Sequence, residues 1–397
     1  MDLSNDILVL KALVVQLSAR VESLELENAA LRSRLNLNSK NSHKPPSSDG
    51  LQKRPGLPRP EVKKSGGQVG HKGKTLKMVE IPDRVLVHHA LSCPLCAKSF
   101  SANDVCRIEQ RRQVFDIPAP RLEVTEHQLG VIVCCGRQHQ GAFPAEVGQP
   151  VQYGSRIRAL SVLLNNDYKL PLRKIEQLMG DVWGCSFNES TAVNANAGMY
   201  EALHPAEAQI KAAVLAAEAA HFDETGMRVE KKLQWFHTAS TARFTYLFVH
   251  GKRGKEALES EESLFKDFKN WAVHDCWASY FDFKQCRHAL CGAHLLRELT
   301  NLIENGSKWA MQMHQFLLDL YKVSQKARVP VADNQAERDI RCLKTKQKVV
   351  TNFQTRRGAQ HFARLQSSVS TLRKHAMNVF QNLINVFDHK NIVFQAG

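Results

Sequence analysis

The strongest secondary-structure signal in the chain is the stretch from His221 to Leu258, HFDETGMRVEKKLQWFHTASTARFTYLFVHGKRGKEAL. Three of its segments alternate apolar and polar residues, and they are centred near Phe222, Trp235 and Leu247. Short polar turns separate these segments. The pattern predicts a three-stranded antiparallel meander, followed by a helix from about Lys255. The sequence therefore predicts a sheet at the centre of the largest domain.

Acidic residues occupy positions around this sheet that suit metal ligands. Asp223 lies in the first strand, where the period of two sends its neighbour Glu224 to the opposite face. A short apolar run, Trp271 to Val273, predicts a further strand ending at Asp275, and a third acid, Glu337, lies in a predicted helix. Oxygen ligands suit Mg²⁺ or Mn²⁺, and two such ions can bind the attacking and leaving oxygens of a phosphoryl displacement. Spacing alone is weak evidence, because a chain with 39 acids offers many such triplets.

Glu337 lies within a strongly basic stretch, NQAERDIRCLKTKQKVVTNFQTRRG at residues 334–358. The stretch holds seven Lys or Arg against two acids. The basic residues predicted to contact DNA phosphates are Arg338, Arg341, Lys344, Lys346, Lys348, Arg356 and Arg357. The simple alternative for Glu337 is an ion pair with Arg341 one turn later, which would contribute about 0.3 kcal/mol.

The composition points to a nucleic-acid partner and away from membranes and secretion. The 397 residues carry a formal net charge of +15, and binding to phosphates is the commonest use of such an excess. No apolar run is long enough to span a bilayer, and the acidic N-terminus, MDLSNDILVLKALVV, does not resemble a signal peptide. We therefore expect a cytoplasmic protein that binds nucleic acid. Its ten cysteines are expected to be metal ligands or structural thiols.

Residues 1–37 carry a heptad repeat. Leucine recurs every seven residues, and the other seam position is mostly β-branched; the two sets are Leu3, Leu10, Leu17, Leu24 and Leu31, and Ile7, Val14, Val21, Asn28 and Leu35. This combination favours a parallel coiled-coil dimer, with Asn28 fixing the register. An amphipathic helix on a globular core is the alternative. A basic-zipper factor is excluded, because there the basic helix precedes the zipper.

Two segments flanking the cysteine-rich region have features of DNA contact. Residues 38–77 are rich in Pro, Gly, Ser and bases, which predicts a flexible basic linker and is compatible with an arm along DNA. Residues 149–205 read as helices and fit a helix-turn-helix pair, although a plain helical subdomain fits nearly as well. The signals for the helix ends are Pro171, Gly184, and Asn188 or Ser190.

Residues 78–148 combine cysteine and histidine at a spacing that suits structural zinc. The candidate ligands are Cys93, Cys96, Cys134, Cys135 and His139. The intervening residues 107–133 alternate and predict a strand pair. Adjacent Cys134 and Cys135 make an awkward pair, so the fourth ligand is left open between one of them and His139. Buried thiols are the alternative.

A second group of possible ligands lies in CRHALCGAHLL at residues 286–296: Cys286, His288, Cys291 and His294. On one short helical stretch these side chains would not all point inward. We therefore favour core packing, or a His near the substrate phosphate, over a second zinc site.

Six longer blocks resemble the insertion-sequence-66 family of bacterial transposases. In chain order they are NSKNSHKPPSSDG, RRQVFDIPAPRLEVTEH, HFDETGMRV, VHDCWASY, CGAHLLREL and DNQAERDIRCLKTKQKV. The resemblance implies a coiled coil, a zinc-binding region and a ribonuclease-H-like domain with an Asp-Asp-Glu catalytic set. It assigns that set to Asp223, Asp275 and Glu337. The chain departs from the family in a shortened segment before Glu337 and in the crowded Cys134–Cys135 pair.

The expected fold is multidomain, α+β and α/β. It comprises a coiled coil (1–37), a linker (38–77), a small zinc-binding β region (78–148), a helix-turn-helix-like segment (149–205), a ribonuclease-H-like mixed sheet flanked by helices (206–385) and a tail (386–397). The expected activity is transposition: metal-dependent hydrolysis at transposon ends, then strand transfer into target DNA. The expected partners are double-stranded DNA, a second copy of the chain and accessory proteins of the same element. The alternatives are an inactive, shortened transposase that represses by binding DNA, and a junction nuclease.

Overall fold

The computed structural model describes residues 3–37, 41, 76–88, 90–101, 107–327 and 334–394. The chain divides into two compact units, one of residues 53–122 and one of residues 1–52 with 123–397. Nearly all of the predicted linker, residues 38–77, lies outside the described residues. Within the described ranges, no helix combines the length and apolar character needed to cross a membrane.

Helix α1 spans Leu3–Asn36 and confirms a helix where the heptads lie. The apolar seam residues whose side chains are described are exposed, from 47% at Leu24 to 79% at Leu35. The described part of the chain therefore leaves this apolar seam uncovered, and the coiled coil stays a prediction.

The cysteine-rich region contains little regular structure. Strands β1 (Val131–Cys134) and β2 (Arg137–Gln140) form an antiparallel hairpin. The strand pair predicted over 107–133 is wrong except at its end, because residues 107–130 contain no strand. Apolar residues there, such as Ile117 and Val124, are more than four-fifths exposed. Alternation without a surface to pack against does not make a strand.

Four helices follow: α2 (Ser155–Asn166), α3 (Leu172–Trp183), α4 (Glu189–Ala202) and α5 (His204–Ala216). Gly184 ends α3 in the left-handed conformation (φ 61°), and the Asn188 side chain caps α4 by accepting from the Ser190 N–H. These turn signals were predicted correctly. Helix α4, the candidate recognition helix, contains no Lys or Arg.

The central sheet is mixed and has the order β5-β4-β3-β6-β7. The meander β3 (Ala219–Val229), β4 (Lys232–Ser240) and β5 (Thr245–His250) is confirmed, as is a helix at Lys255, although α6 (Lys255–Leu258) is a single turn. Strands β6 (Trp271–His274) and β7 (Arg287–Leu290) extend the sheet in parallel with β3. The predicted helical stretch over the second group of Cys and His is therefore wrong up to Leu290, which ends a strand.

Five longer helices lie C-terminal to β7 in the described residues, and two of them pack on the sheet. The five helices are α7 (Gly292–Glu304), α8 (Lys308–Ala327), α9 (Asn334–Val350), α10 (Arg356–Lys374) and α11 (Val379–Phe387). Between α9 and α10, β8 (Asn352–Phe353) pairs in parallel with the end of β3. Helix α9 packs on β3 and β4, and α10 packs on β5, whereas α8 packs on α7.

Alternation along β3 sends side chains to two cores. Phe222 belongs to a large core that also takes in Met199 of α4 and Leu383 of α11. Met227 belongs to a smaller core with Ile340 of α9 and Phe362 of α10. The large core joins the helical segment to the sheet, so the predicted boundary at residue 205 does not separate two cores.

Candidate functional site

The sheet brings Asp223 and Asp275 together. In the parallel pairing of β3 with β6, His221 lies beside Val273. This is the last pair of the two strands, and Asp223 and Asp275 each follow two residues further along, so the register directs both to the same end of the sheet. The period of two keeps both aspartates on the same face, and adjacent strands lie about 4.8 Å apart. Two carboxylates far apart in sequence therefore become neighbours.

Helix α9 packs against the strand that carries Asp223. Burial lowers the pKa of Lys344 on this helix, while the nearby Asp223 carboxylate acts in the opposite sense. Position 337 lies seven residues before Lys344, which is about two turns and hence the same side of the helix. The side chain of Glu337 is outside the described residues. The fold thus sets the helix bearing Glu337 against the strand bearing Asp223.

A third carboxylate, Glu224, lies on the opposite face of β3, as predicted. The Tyr280 hydroxyl donates to its Oε2 at 2.6 Å, and the Arg253 Nε donates to its Oε1 at 2.6 Å. Burial raises the pKa of Glu224, which Arg253 opposes and the Asp275 carboxylate reinforces. Glu224 is therefore a buried acid that depends on its two partners.

The Tyr280 hydroxyl lies near three carboxylates, those of Asp223, Glu224 and Asp275. Burial, followed by the Glu224 carboxylate, raises the pKa of Tyr280 well above its usual value. Asp223 and Asp275 act on the same phenol in the same direction. Carboxylate oxygens are the ligand type that hard divalent cations prefer, but the described residues do not group three such side chains closely enough to hold a metal ion.

Arg253 is a site residue that the sequence analysis missed. Its Nη2 lies 3.8 Å from the Asp275 Oδ2, and its guanidinium carbon lies 3.8 Å from the centre of the Trp277 ring. The centre of a second aromatic ring, Trp235, lies 5.1 Å from the same guanidinium carbon. In the sequence, HGKRGK looked like a turn, and nothing in its local pattern indicated that Arg253 reaches two acids on different strands.

The second group of Cys and His forms a hydrogen-bonded part of the fold. The His274 Nε2 lies 2.9 Å from the His288 Nδ1, and the His288 Nε2 lies 2.8 Å from the Phe283 carbonyl. Cys286 and Cys291 are buried. These contacts agree with the preference for core packing over a second zinc site.

Most of the predicted DNA-contacting residues are on the surface. Arg338, Arg341 and Lys348 of α9 and Arg356 and Arg357 at the start of α10 are exposed. Lys344 is half-buried.

Lys346 is the exception and needs correction. It is 5% exposed, and its ammonium donates to the Asn165 carbonyl at 3.1 Å. Burial lowers its pKa to about 8. Each residue turns the helix by about 100°, so Lys346 lies about 280° around the axis from the buried Ala336, which is about 80° in the other direction. Lys346 therefore holds α9 to α2 and does not face DNA.

Each candidate zinc segment has its own local geometry. Around Cys93 and Cys96 a tight turn is closed by bonds from Cys93 N to Lys98 O (2.8 Å) and from Ala97 N to Cys93 O (2.9 Å). Hydrogen bonds from the backbone of Cys96 and Leu95 lower the pKa of the Cys93 thiol. A stabilised thiolate is the form that binds zinc.

In the β1–β2 hairpin, Cys134 ends a strand and Cys135 begins the turn. Cys135 and Gly136 both have positive φ, 52° and 71°, as a two-residue hairpin turn requires. The register pairs Ile132 with His139 and Cys134 with Arg137, so Cys134 and His139 share a face. Within the described residues, however, no three His, Cys, Asp or Glu side chains are grouped to hold a metal ion.

A mixed sheet of this order, flanked by helices and carrying neighbouring aspartates, fits a ribonuclease-H-like domain of a transposase. Residues 150–330 match the family described as "Transposase IS66 family". Residues 3–77 match a "Family of unknown function (DUF6444)". No curated protein matches the chain. The first match confirms the family predicted from the motifs, and residues 150–330 are an insertion-sequence-66 transposase domain, whose role implies DNA binding.

Proposed function

We propose that the chain is an Asp-Asp-Glu transposase that cleaves DNA at the ends of its element and joins the freed 3′ ends to target DNA. The observation that supports this most directly is the parallel register of β3 and β6, which pairs His221 with Val273 and so directs Asp223 and Asp275, two residues further on, to the same end of the sheet. The packing of α9 on β3 brings the backbone of the third acid, Glu337, to the same sheet.

In this proposal Asp223, Asp275 and Glu337 would hold Mg²⁺ or Mn²⁺. When bound, a pair of such ions supplies a nucleophilic oxygen at neutral pH and offsets the charge that develops on the phosphate. The protein's own residues position the DNA: Arg341 and Lys348, both exposed on the outer side of α9, bind backbone phosphates. Hydrolysis and strand transfer are both in-line displacements at phosphorus, so one site serves both without a covalent protein intermediate.

The test is the variant Asp223→Ala, assayed for Mg²⁺-dependent nicking of element-end DNA and for DNA binding. We expect nicking to disappear while binding persists. The matched control is Asp181→Ala on the exposed side of α3, which should nick like the wild type. Nicking that survives in Asp223→Ala would refute the catalytic role.

A second candidate function is a DNA-binding repressor without catalytic activity. Two observations favour it: the family match ends at residue 330, before Glu337, and the shortened segment before Glu337 holds, in its described part, only α8 and the end of α7. The same assay separates the two functions, because a repressor binds element ends without nicking them. Cutting that selects branched DNA and never joins strands would instead indicate a junction nuclease.

We also propose structural zinc bound through Cys93, Cys96, Cys134 or Cys135, and His139. The lowered pKa of the Cys93 thiol supports a thiolate ligand there. The test is the zinc content of the purified protein by plasma mass spectrometry. We expect about one zinc per chain, lost in Cys96→Ser and kept in Cys185→Ser, whose thiol is buried in a separate core.

Self-association through α1 is the remaining proposal. Its exposed apolar seam supports a parallel dimer. Sedimentation of the full chain should give a dimer, and Leu17→Asp with Leu24→Asp should give a monomer. A monomeric wild type would exclude the coiled coil.

A further inference from the structure

Arg253 lies in the loop between β5 and α6, and the Asp-Asp-Glu chemistry proposed above assigns it no role. Its guanidinium nevertheless connects two acids of the site. The Nε donates to Glu224 at 2.6 Å, and the Nη2 lies 3.8 Å from the Asp275 carboxylate. A cation therefore lies next to a proposed metal ligand.

The surroundings of Arg253 hold this cation in place. The Trp277 ring stacks on the guanidinium at 3.8 Å, and the Trp235 ring lies 5.1 Å from it. The Glu224 side chain is 2% exposed, and Tyr280 fixes its other oxygen. A buried carboxylate with two short hydrogen bonds is a rigid anchor.

Small residues allow this close packing. A methyl group on Gly226, opposite Trp235 in the β3–β4 register, would lie 3.0 Å from the Leu233 side chain and 3.7 Å from the Trp235 ring. A methyl group on Gly254, next to Arg253, would lie 3.1 Å from the Ser279 hydroxyl. Gly254 therefore lets the loop approach the segment that follows Asp275, and Gly226 leaves room for the Leu233 and Trp235 side chains beside β3.

Charge explains what this arrangement does. A fixed positive charge near Asp275 repels an incoming divalent cation, whereas the negative charge of Glu224 behind it offsets that repulsion. We propose that Arg253 and Glu224 set the affinity of the Asp223–Asp275 pair for a divalent cation, with Arg253 weakening it and Glu224 strengthening it. The inference rests on the proposed function, because it requires that the two aspartates bind metal. Arg253 is thus a positioning residue, and Asp275 is the ligand through which it acts.

The test measures Mn²⁺ binding to the full chain by isothermal titration calorimetry. Arg253→Gln should lower the dissociation constant about tenfold, and Glu224→Gln should raise it about tenfold. In the double variant the two changes should nearly cancel. A purely structural role for the pair predicts the opposite pattern, in which all three variants bind more weakly and the double variant binds weakest.

Two further variants isolate the charge. Arg253→Lys keeps the positive charge and should restore the wild-type affinity to within about threefold, although it loses the stacked fork. Arg287→Gln is the matched control, because Arg287 lies over the Trp271 ring at 5.6 Å at the far end of β6. It removes the same charge from a similar stack and should leave Mn²⁺ binding unchanged.

The outcomes separate the inference from the function beneath it. If Asp275→Asn binds Mn²⁺ as tightly as the wild type, both are overturned. If Asp275→Asn loses binding but Arg253→Gln binds no more tightly than the wild type, only the inference is overturned. If Arg253→Gln proves unfolded by thermal melting, Glu224→Gln decides, and wild-type affinity in that variant overturns the inference.

Discussion

The two sides of helix α9 carry the same kinds of charged residue in opposite surroundings. On the buried side, Asp339 and Lys346 are 8% and 5% exposed. On the outer side, Arg341 and Lys348 are exposed to solvent. Both sides come from one stretch of sequence that holds seven Lys or Arg and two acids.

The difference shows that charge in this helix has two functions, which burial separates. Asp339 Oδ2 accepts from the Thr245 hydroxyl at 2.9 Å and lies 2.7 Å from the Lys374 ammonium, so it ties α9 to β5 and α10. The outer bases have no such enclosure and are available to phosphates. Substitutions on the buried side should change stability, whereas those on the outer side should change DNA binding.

The largest effect is expected from Asp339→Ala. It leaves the Lys374 ammonium, 9% exposed, without its carboxylate partner. Breaking a buried ion pair in this way should lower the free energy of unfolding by about 3–5 kcal/mol. The control is Asp319→Ala on α8, whose ion pair with Lys322 is exposed, so its loss should change the free energy of unfolding little. Urea denaturation measures both, and equal losses would contradict the contrast drawn here.

A smaller effect of opposite sign is expected from Lys346→Met. Burial lowers the pKa of Lys346 from 10.5 to about 8. Below pH 8 its ammonium is charged in both states, and this charge is less stable in the folded protein than in the unfolded chain. The folded-state pKa lies below the unfolded one, so stability should rise as the pH increases from about 8 to 10.5. The full shift corresponds to about 3 kcal/mol.

At pH 7 the free energy of unfolding of Lys346→Met should therefore be about 1–3 kcal/mol higher than that of the wild type. Above pH 8 it should rise less with pH than the wild type's. Urea denaturation at pH 7, 9 and 10 checks this. The buried Lys169 and Lys374, whose pKa values burial also lowers, leave some pH dependence in the variant. A wild type whose stability does not rise above pH 8 would disprove the assignment.

On the outer side, Arg341→Gln with Lys348→Gln should weaken DNA binding about tenfold at physiological salt. The plot of log affinity against log salt should become less steep by about 2, since each lost phosphate contact reduces the magnitude of its slope by about 0.9. The control, Lys308→Gln with Lys322→Gln, removes the same charge from the exposed surface of α8. Fluorescence anisotropy over a salt series measures both pairs. An equal loss in the control pair would mean that net charge, and not the face of α9, governs binding.

The sheet was predictable because its signal is local. Alternation marks β3, β4 and β5, a short apolar run marks β6, and Asp275 follows that run directly. The alternation over 107–130 was equally strong yet produced no strand, because pairing depends on a surface to pack against. That surface is a property of the whole fold and cannot be read from a window of sequence.

The candidate site was predictable in part for the same reason. Asp223 and Asp275 lie at recognisable places on their strands, and the motifs carried the rest of the assignment. Arg253 lies in a turn, and its contact with Glu224 depends on how the loop after β5 folds over the sheet. The burial of Lys346 was missed because helical periodicity gives a face but not the neighbour, here the Asn165 carbonyl of α2, that covers it.

The smallest effect concerns the junction where the chain leaves α9 and enters α10. Thr355 is the N-cap of α10, and its hydroxyl accepts from the Gly358 N–H at 3.0 Å. Thr355→Ala removes that bond and should lower the free energy of unfolding by about 1 kcal/mol, whereas Thr355→Ser should keep it.

Because Arg356 and Arg357 form the first turn of this helix, fraying there should also loosen the outer basic surface. We therefore expect Thr355→Ala to weaken DNA binding about twofold in the same anisotropy assay, an effect within the range of an exposed contact. A stability loss as large as that of Asp339→Ala would contradict this prediction, because it would mean that Thr355 supports the fold as the buried residues of α9 do.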